Sequence, residues 1–170
     1  MIKIFLKHEI KRLTKKYVRS KQFREYEVIH DVIVFFNMEN LPDVELFIKT
    51  LIQDGKNVTA YSFDKKNITA LRLPDCYHLL TKDALNFGCI PKKNELLAFK
   101  RKQADTLIDL TINPSLILKY LFLNSSADYR IGFDRENAAL YDLLIEHNQE
   151  QGFSYFLDQM LFYMKSLRTK

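Results

Sequence analysis

A short, almost continuous apolar run at residues 30–36 does most to limit what this chain can fold into. The run reads His-Asp-Val-Ile-Val-Phe-Phe and ends at Asn37. Because its apolar residues do not alternate with polar ones, it is typical of a strand that is buried on both faces. Strands of that kind belong to parallel sheets with helices on both sides. The run therefore predicts an α/β fold.

A helix and a second strand follow the run at the spacing of a βαβ unit. Pro42 suits the first turn of a helix, and apolar residues then recur at helical spacing until Gly55, which suits the C-terminal cap. Residues 57–63 predict the next strand because they are rich in β-branched and aromatic side chains.

The remainder of the chain continues this alternation of strands and helices. Further strands are predicted at 77–80, 104–111, 129–133 and 140–146, the last of which also fits a helix. Helices are predicted at 93–102, after Asn113 and from Ser154 onward. We expect residues 26–170 to form a single Rossmann-like three-layer α/β domain, with a mainly parallel sheet of about five or six strands.

The positive charge of the chain is concentrated at its N-terminus. Residues 1–25 hold nine Lys/Arg and two Glu, a net charge of +7, whereas the whole chain carries 26 basic and 21 acidic residues, a net charge of +5. Residues 26–170 therefore hold 17 basic and 19 acidic residues, a net charge of −2. Such asymmetry indicates a basic interaction element attached to a nearly neutral domain.

Residues 2–20 predict an amphipathic helix, which we expect to form one unit with the domain. Its apolar stripe is Leu6, Ile10, Leu13 and Tyr17, at spacings of four, three and four. The candidate partner-binding residues are the cations around the rest of the helix, namely Lys7, Lys11, Arg12, Lys15, Lys16 and Arg19.

Three interpretations of this basic helix stay open. Its cations could bind RNA, a ribonucleoprotein or an acidic protein, with Lys92, Lys93 and residues 100–102 extending the patch. In that case Tyr17, Phe23 and Tyr26 would stack on bases or pack against the domain. The helix could instead lie on an anionic membrane surface, or be docked on the domain with a solvated basic face.

The carboxyl ends of the predicted strands supply a second candidate site, because ligands of open α/β sheets bind at that edge. The residues expected there are Asn37, Asp109, Thr111, Asp134, Arg135 and His147. This alternative function is the binding of a small molecule. The same residue types also serve as ordinary helix caps and turn formers.

Signatures of established chemistry are absent from the sequence. It contains no GxGxxG, GxxxxGK[ST], GxSxG or HExxH motif, and its two cysteines, Cys76 and Cys89, form no CxxC pair. We therefore expect no cofactor and no metal, and we favour an interaction role over an enzymatic one. With no signal peptide or transmembrane run, we expect a cytoplasmic protein, and its many aromatic residues leave a homo-oligomer open.

The C-terminal half also carries a resemblance. The runs 104–111 (Ala-Asp-Thr-Leu-Ile-Asp-Leu-Thr), 127–134 (Ala-Asp-Tyr-Arg-Ile-Gly-Phe-Asp), 141–146 and 159–165 resemble an uncharacterised Bacteroidetes family whose domain of unknown function spans nearly the whole chain. The first two runs are more distantly similar to the N-terminal Rossmann-like half of heptosyltransferase-type glycosyltransferases. The family implies no activity. The second likeness implies a fold without the second domain that holds a nucleotide sugar, so the alternative function also includes a degenerate glycosyltransferase-like domain with its site at the carboxyl ends of the strands.

Overall fold

Six strands form one parallel sheet. The structure, a computed structural model, describes residues 3–66, 72–133 and 135–168, with only the backbone of Arg135. The strands are β1 (Asp31–Phe36), β2 (Asn57–Phe63), β3 (Tyr77–Leu80), β4 (Thr106–Leu110), β5 (Tyr129–Gly132) and β6 (Leu143–Leu144). Their order is β3-β2-β1-β4-β5-β6, and every neighbouring pair is parallel. The predicted single Rossmann-like α/β fold is confirmed.

Helices cover both faces of this sheet. They are α1 (Lys3–Lys16), α2 (Leu41–Gln53), α3 (Lys93–Arg101), α4 (Leu116–Asn124) and α5 (Phe153–Ser166). Successive side chains of β1 alternate between the faces, so that Val34 packs with α2 and α5, and Phe35 packs with α1, α3 and α4. Both faces of β1 are therefore buried, as its unbroken apolar run predicts.

The βαβ unit follows the sequence closely. Pro42 lies in the first turn of α2, and Gly55 follows the helix with a φ of +81°, a backbone conformation that favours glycine. The strands predicted at 57–63 and 77–80 have those bounds in the structure. Local patterning was sufficient here because each element carries its own start and stop signals.

The N-terminal helix is shorter than the 2–20 predicted from the sequence. α1 ends at Lys16, and the chain then continues without regular structure to a short 3₁₀ turn at Tyr26–Val28. Because the helix ends at Lys16, Tyr17 can pack against the Arg130 guanidinium, which lies 5.0 Å from the centroid of the Tyr17 ring. Arg19 can then reach Asp142. Tertiary contacts thus override a helical pattern that has no Gly or Pro to stop it.

The strand predicted at 140–146 is also mostly wrong. The structure has a 3₁₀ segment at Arg135–Leu140 and only a two-residue strand, β6. Leu140 and Tyr141 turn into the core, and the Asp142 carboxylate accepts hydrogen bonds from two backbone N–H groups, those of Gln22 and Arg130. The Asp142 backbone N–H also donates to the Arg130 carbonyl of β5, so the segment meets the sheet at Asp142 and forms only one short ladder.

β4 is likewise shorter than the predicted 104–111. Before the strand, the Asp105 carboxylate accepts hydrogen bonds from the backbone N–H groups of His30 and Asp31, at 2.8 and 3.1 Å. After it, Thr111 donates from its backbone and its hydroxyl to Asp109. Both ends of the predicted strand are thus used to fix loops.

Candidate functional site

Helix α1 is docked on the domain. Its buried side chains, Leu6 and Ile10, join the core cluster that includes Leu121 of α4, and Leu13 and Tyr17 pack at the edge of that cluster. The whole apolar stripe predicted from the sequence therefore faces inward. The opposite, mainly polar face of the helix is left to solvent.

The exposed side of α1 is strongly basic. Five of the six predicted cations are solvent-exposed, and we call them the cationic face: Lys7, Lys11, Arg12, Lys15 and Lys16. Lys7, Lys11 and Lys15 lie four residues apart, a rise of about 6 Å per step along a helix. Such an array presents several ammonium groups in the same direction.

Glu9 is the only acidic residue of α1, and it is already paired. Arg12 donates to its carboxylate from Nη2, at 2.7 Å, and from Nε, and the hydrogen bonds from Arg12 lower the pKa of the Glu9 carboxyl. The lysines of the cationic face are not in this pair. Their charge is therefore available to a partner.

Arg19 does not belong to the cationic face. Its side chain is 20% exposed, its guanidinium forms an ion pair with the buried Asp142, and it donates to the Tyr17 hydroxyl at 2.8 Å and the Asp128 carbonyl at 2.6 Å. The sequence does not reveal this role because Asp142 lies 123 positions away. Arg19 fixes the segment after α1 to the domain.

The aromatic residues interleaved with the cations pack against the domain. Tyr26 is buried, and its hydroxyl donates to Asp54 at 2.7 Å. Phe23 lies edge-on to the buried ring of Tyr129, with ring centroids 5.9 Å apart, and Tyr17 covers Arg130. Of the two roles that the sequence left open for these rings, the structure supports packing.

Of the basic residues expected to extend the patch, the structure places four in two separate groups. Lys92 and Lys93 lie at the start of α3, shortly after the turn that contains Gly88. This turn contacts α1, since the Cβ of Phe5 lies 3.5 Å from the position that a Cβ would occupy at Gly88. Arg101 and Lys102 instead line a cavity at the amino ends of β1 and β2. Only the first group adjoins the cationic helix.

At the carboxyl edge of the sheet, the crevice between β1 and β4 is bridged by side chains. The Asn37 amide donates to the Asn113 carbonyl and accepts from the Asn113 backbone N–H, both at 2.9 Å. The Asn113 amide donates in turn to Glu39. This bridge occupies the position where open α/β sheets hold a nucleotide, and it separates two cavities.

The larger cavity, of about 560 Å³, lies on the β5 side of this bridge. Asp109 and Thr111 line it as predicted, and the Tyr141 hydroxyl donates to Asp109 at 2.7 Å. Gly132 lies against the Tyr141 ring so closely that a Cβ there would overlap it. The smaller cavity, of about 300 Å³, contains Asn37 and Glu39 and two lysines that follow β2.

Of the other predicted residues of the edge, Asn37 lines the smaller cavity and His147 lies away from Asp109. His147 packs in an aromatic cluster with Phe133, Phe153 and Phe156, its ring centroid 5.0 Å from that of Phe156. Asp134 and the side chain of Arg135 lie outside the described residues. The sequence placed all these residues at one edge because it shows where strands end but not which way the following side chains turn.

Sequence reasoning missed two exposed aromatic residues, Phe5 and Phe87. Phe5 lies off the apolar stripe of α1, and Phe87 stands in an Asn-Phe-Gly stretch that is typical of a turn. These two positions were the sequence signals that could have indicated that both rings are exposed. Within the described residues, no group of three metal-ligating side chains forms and no helix is long and apolar enough to cross a membrane.

The fold and the docked helix define a single-sheet parallel α/β protein with a cationic helix on one face. The chain belongs to the family of unknown function DUF6913, whose model matches residues 3–167. No curated protein and no solved structure matches the chain. Membership of an uncharacterised family that spans nearly the whole chain is thus confirmed. The Bacteroidetes origin and the likeness to heptosyltransferases stay predictions.

Proposed function

We propose that this protein is a binding module that holds RNA, free or within a ribonucleoprotein, on the cationic face of α1. One observation carries the proposal: five cations on one docked helix point to solvent, while the only acid of that helix is paired with Arg12. Lysine and arginine arrays of this kind attract phosphates over the length of a nucleic-acid backbone.

The distribution of apolar surface favours RNA over a membrane. A helix that lies on a bilayer buries its apolar face among the lipids. In α1 that face is Leu6 and Ile10, and both side chains are buried in the domain. Apart from Ile4 and Phe5 near its N-terminal end, the exposed residues of α1 are polar and mostly cationic, which suits a phosphate backbone.

The test is a salt titration of binding to a labelled RNA oligonucleotide. For four phosphate contacts on a single strand, we expect the logarithm of the association constant to fall with that of the salt concentration, with a slope of about −3. Replacing Lys11, Arg12, Lys15 and Lys16 together with Glu should abolish binding, because attraction becomes repulsion.

A matched variant separates the cationic face from net charge. Lys49, Lys65, Lys66 and Arg72 are exposed and lie outside α1, and replacing these four with Glu changes the net charge by the same amount. This control should keep most of the affinity. Equal binding by the α1 variant and wild type, or binding only to an acidic protein, would contradict the proposal.

A second candidate function is the binding of a small molecule in the larger edge cavity. The observation that favours it is a volume of about 560 Å³, within the range of ligand sites, with Asp109, Thr111 and Lys119 in its lining. A ligand of this cavity should raise the melting temperature of the wild type and not of Lys119→Ala. A metabolite screen without such a compound would exclude this candidate.

A further inference from the structure

A tight turn after β3 presents Phe87 to solvent. The Asn86 side-chain oxygen accepts hydrogen bonds from the backbone N–H groups of Gly88 and Ile90, at 2.9 and 3.1 Å, and Leu85 pairs with Pro91 across the base of the turn. The turn is thus well fixed, yet the side chain at its tip is 90% exposed. Leaving a phenylalanine in water forgoes the stabilisation that burial would give.

A second exposed ring lies beside this turn. The Cβ of Phe5 is close to Gly88, the residue that follows Phe87, and the Phe5 side chain is 68% exposed. Ile4, the residue before Phe5, is exposed as well. We call Phe5 and Phe87 the aromatic pair; it lies at the N-terminal end of α1.

Lysines surround the aromatic pair. Lys3 and Lys7 flank Phe5 on α1, and both are exposed. Exposed lysines also lie at the base of the turn, where the Lys92 backbone N–H donates to the Ala84 carbonyl. They are Lys82, Lys92 and Lys93. Asp83 is the exposed acidic residue of the same turn base, against five exposed lysines. The cationic face therefore ends in two exposed rings whose surroundings are positive on balance.

We propose that the aromatic pair is a stacking platform for unpaired bases, so that the RNA bound on α1 is single-stranded at this end. The proposal rests on the proposed function of the cationic face and specifies its substrate. A positively charged track with aromatic rings along it is how proteins bind single strands without reading sequence. Paired bases are already stacked on each other, so a duplex offers these rings no partner.

The first experiment places a fluorophore in the platform. The chain has nine tyrosines and no tryptophan, so Phe87→Trp creates a unique tryptophan that can be excited at wavelengths longer than the tyrosines absorb. Adding a ten-nucleotide single-stranded RNA should quench this emission, because a stacked base lies against the indole. Phe162→Trp is the matched control, since Phe162 is 61% exposed on α5, which packs on the opposite face of the sheet. Its emission should not change.

The second experiment measures affinity. Stacking of one base on an aromatic ring contributes enough that Phe87→Ala should weaken binding of the single strand about 5- to 100-fold. Phe87→Tyr should restore it, and Phe162→Ala should bind as wild type. The salt dependence should not change in any of these variants because no charge is altered. Thermal melts of each variant verify that it is folded.

The outcomes separate this proposal from the proposed function. If charge reversal on α1 abolishes binding but Phe87→Ala and Phe5→Ala bind as wild type, the cationic face stands and the platform is wrong. Equal affinity for a ten-base-pair duplex also overturns the platform. If Phe87→Ala instead loses binding to phosphatidylglycerol vesicles and keeps RNA binding, the aromatic pair is a membrane contact and the proposal fails.

Discussion

Asp142 shows how much one residue contributes to the position of the N-terminal segment. Its side chain is fully buried, and it accepts hydrogen bonds from the backbone N–H groups of Gln22 and Arg130, at 2.9 and 2.7 Å, besides pairing with Arg19. One carboxylate therefore joins the segment after α1 to β5 and to the entry of β6. Removing one partner of such an ion pair lowers the stability of the fold by more than the intact pair adds to it, because the other charge is left buried without a counter-charge.

We expect Asp142→Asn to lower the free energy of unfolding by about 2–4 kcal/mol, because Arg19 loses its counter-charge in a poorly solvated site. Urea denaturation followed by far-UV circular dichroism measures the difference. Asp128→Asn is the control: Asp128 pairs with Arg24 at 3.2 Å but is 65% exposed, so we expect a change below about 0.5 kcal/mol. Similar effects of the two substitutions would argue against this role of Asp142.

Arg130 is a buried cation that the sequence does not mark. Its guanidinium donates to the carbonyls of Phe122 and Ser125, at 3.0 and 2.9 Å, and so caps the C-terminal end of α4. It also lies over the Tyr17 and Phe122 rings. Burial lowers the pKa of the Arg130 guanidinium below its ordinary value. Neither arginine of this cluster is available to a partner.

Among the elements, α2 and α5 are joined by a polar contact at one end. Lys165 of α5 donates to the Asp54 carboxylate at 2.6 Å, and the Tyr26 hydroxyl donates to the same oxygen. Hydrogen bonds from Lys165 and Tyr26 hold the pKa of Asp54 below its usual value. The contact therefore stabilises the fold only while Asp54 is ionised.

The direction of the pH dependence follows from that lowered pKa. The stabilisation is complete above the unfolded pKa, about 3.9, and is lost as the pH falls through the lower folded pKa. We expect wild type to be more stable than Asp54→Asn at pH 7, and the difference to disappear as the pH falls from the unfolded pKa through the lower folded pKa of Asp54. Urea denaturation across this range measures it. Asp158→Asn on α5 is the control, and a pH-independent gap would contradict the prediction.

At the scale of the whole molecule, the basic segment is joined to the body by its apolar stripe. Leu6 is buried against the core beneath α1, whereas Ile4 is exposed. We expect Leu6→Ala to lower the free energy of unfolding by about 2–5 kcal/mol, because it leaves a cavity under the helix. Ile4→Ala should change it by less than about 0.5 kcal/mol. Chemical denaturation measures both, and a small effect of Leu6→Ala would indicate a helix that unfolds independently of the domain.

The positive charge concentrated on α1 forms a surface with a fixed orientation only because this helix is docked on the domain. A 14-residue helix is marginal in water by itself, and lysines four residues apart repel each other. Packing on α4 offsets both effects and holds the lysines in a fixed direction. The sequence shows the amount of charge; the tertiary structure fixes where it points.

The sequence by itself determined the class of fold, because residues 30–36 and the helix and strand after them carry local patterns that need no distant partner. It also located the excess charge in residues 1–25 and the polar positions Asp109 and Thr111 at the edge of the sheet.

Only the tertiary structure decided which of these residues are free to bind. In the folded protein Arg19 pairs with Asp142, and Asn37 and Asn113 bridge the β1–β4 crevice. The His147 side chain packs within an aromatic cluster, whereas Phe87 remains exposed to solvent. Periodicity reports on neighbours within a few residues of the chain. Each of these outcomes instead depends on the placement of an element in three dimensions, which no local pattern specifies.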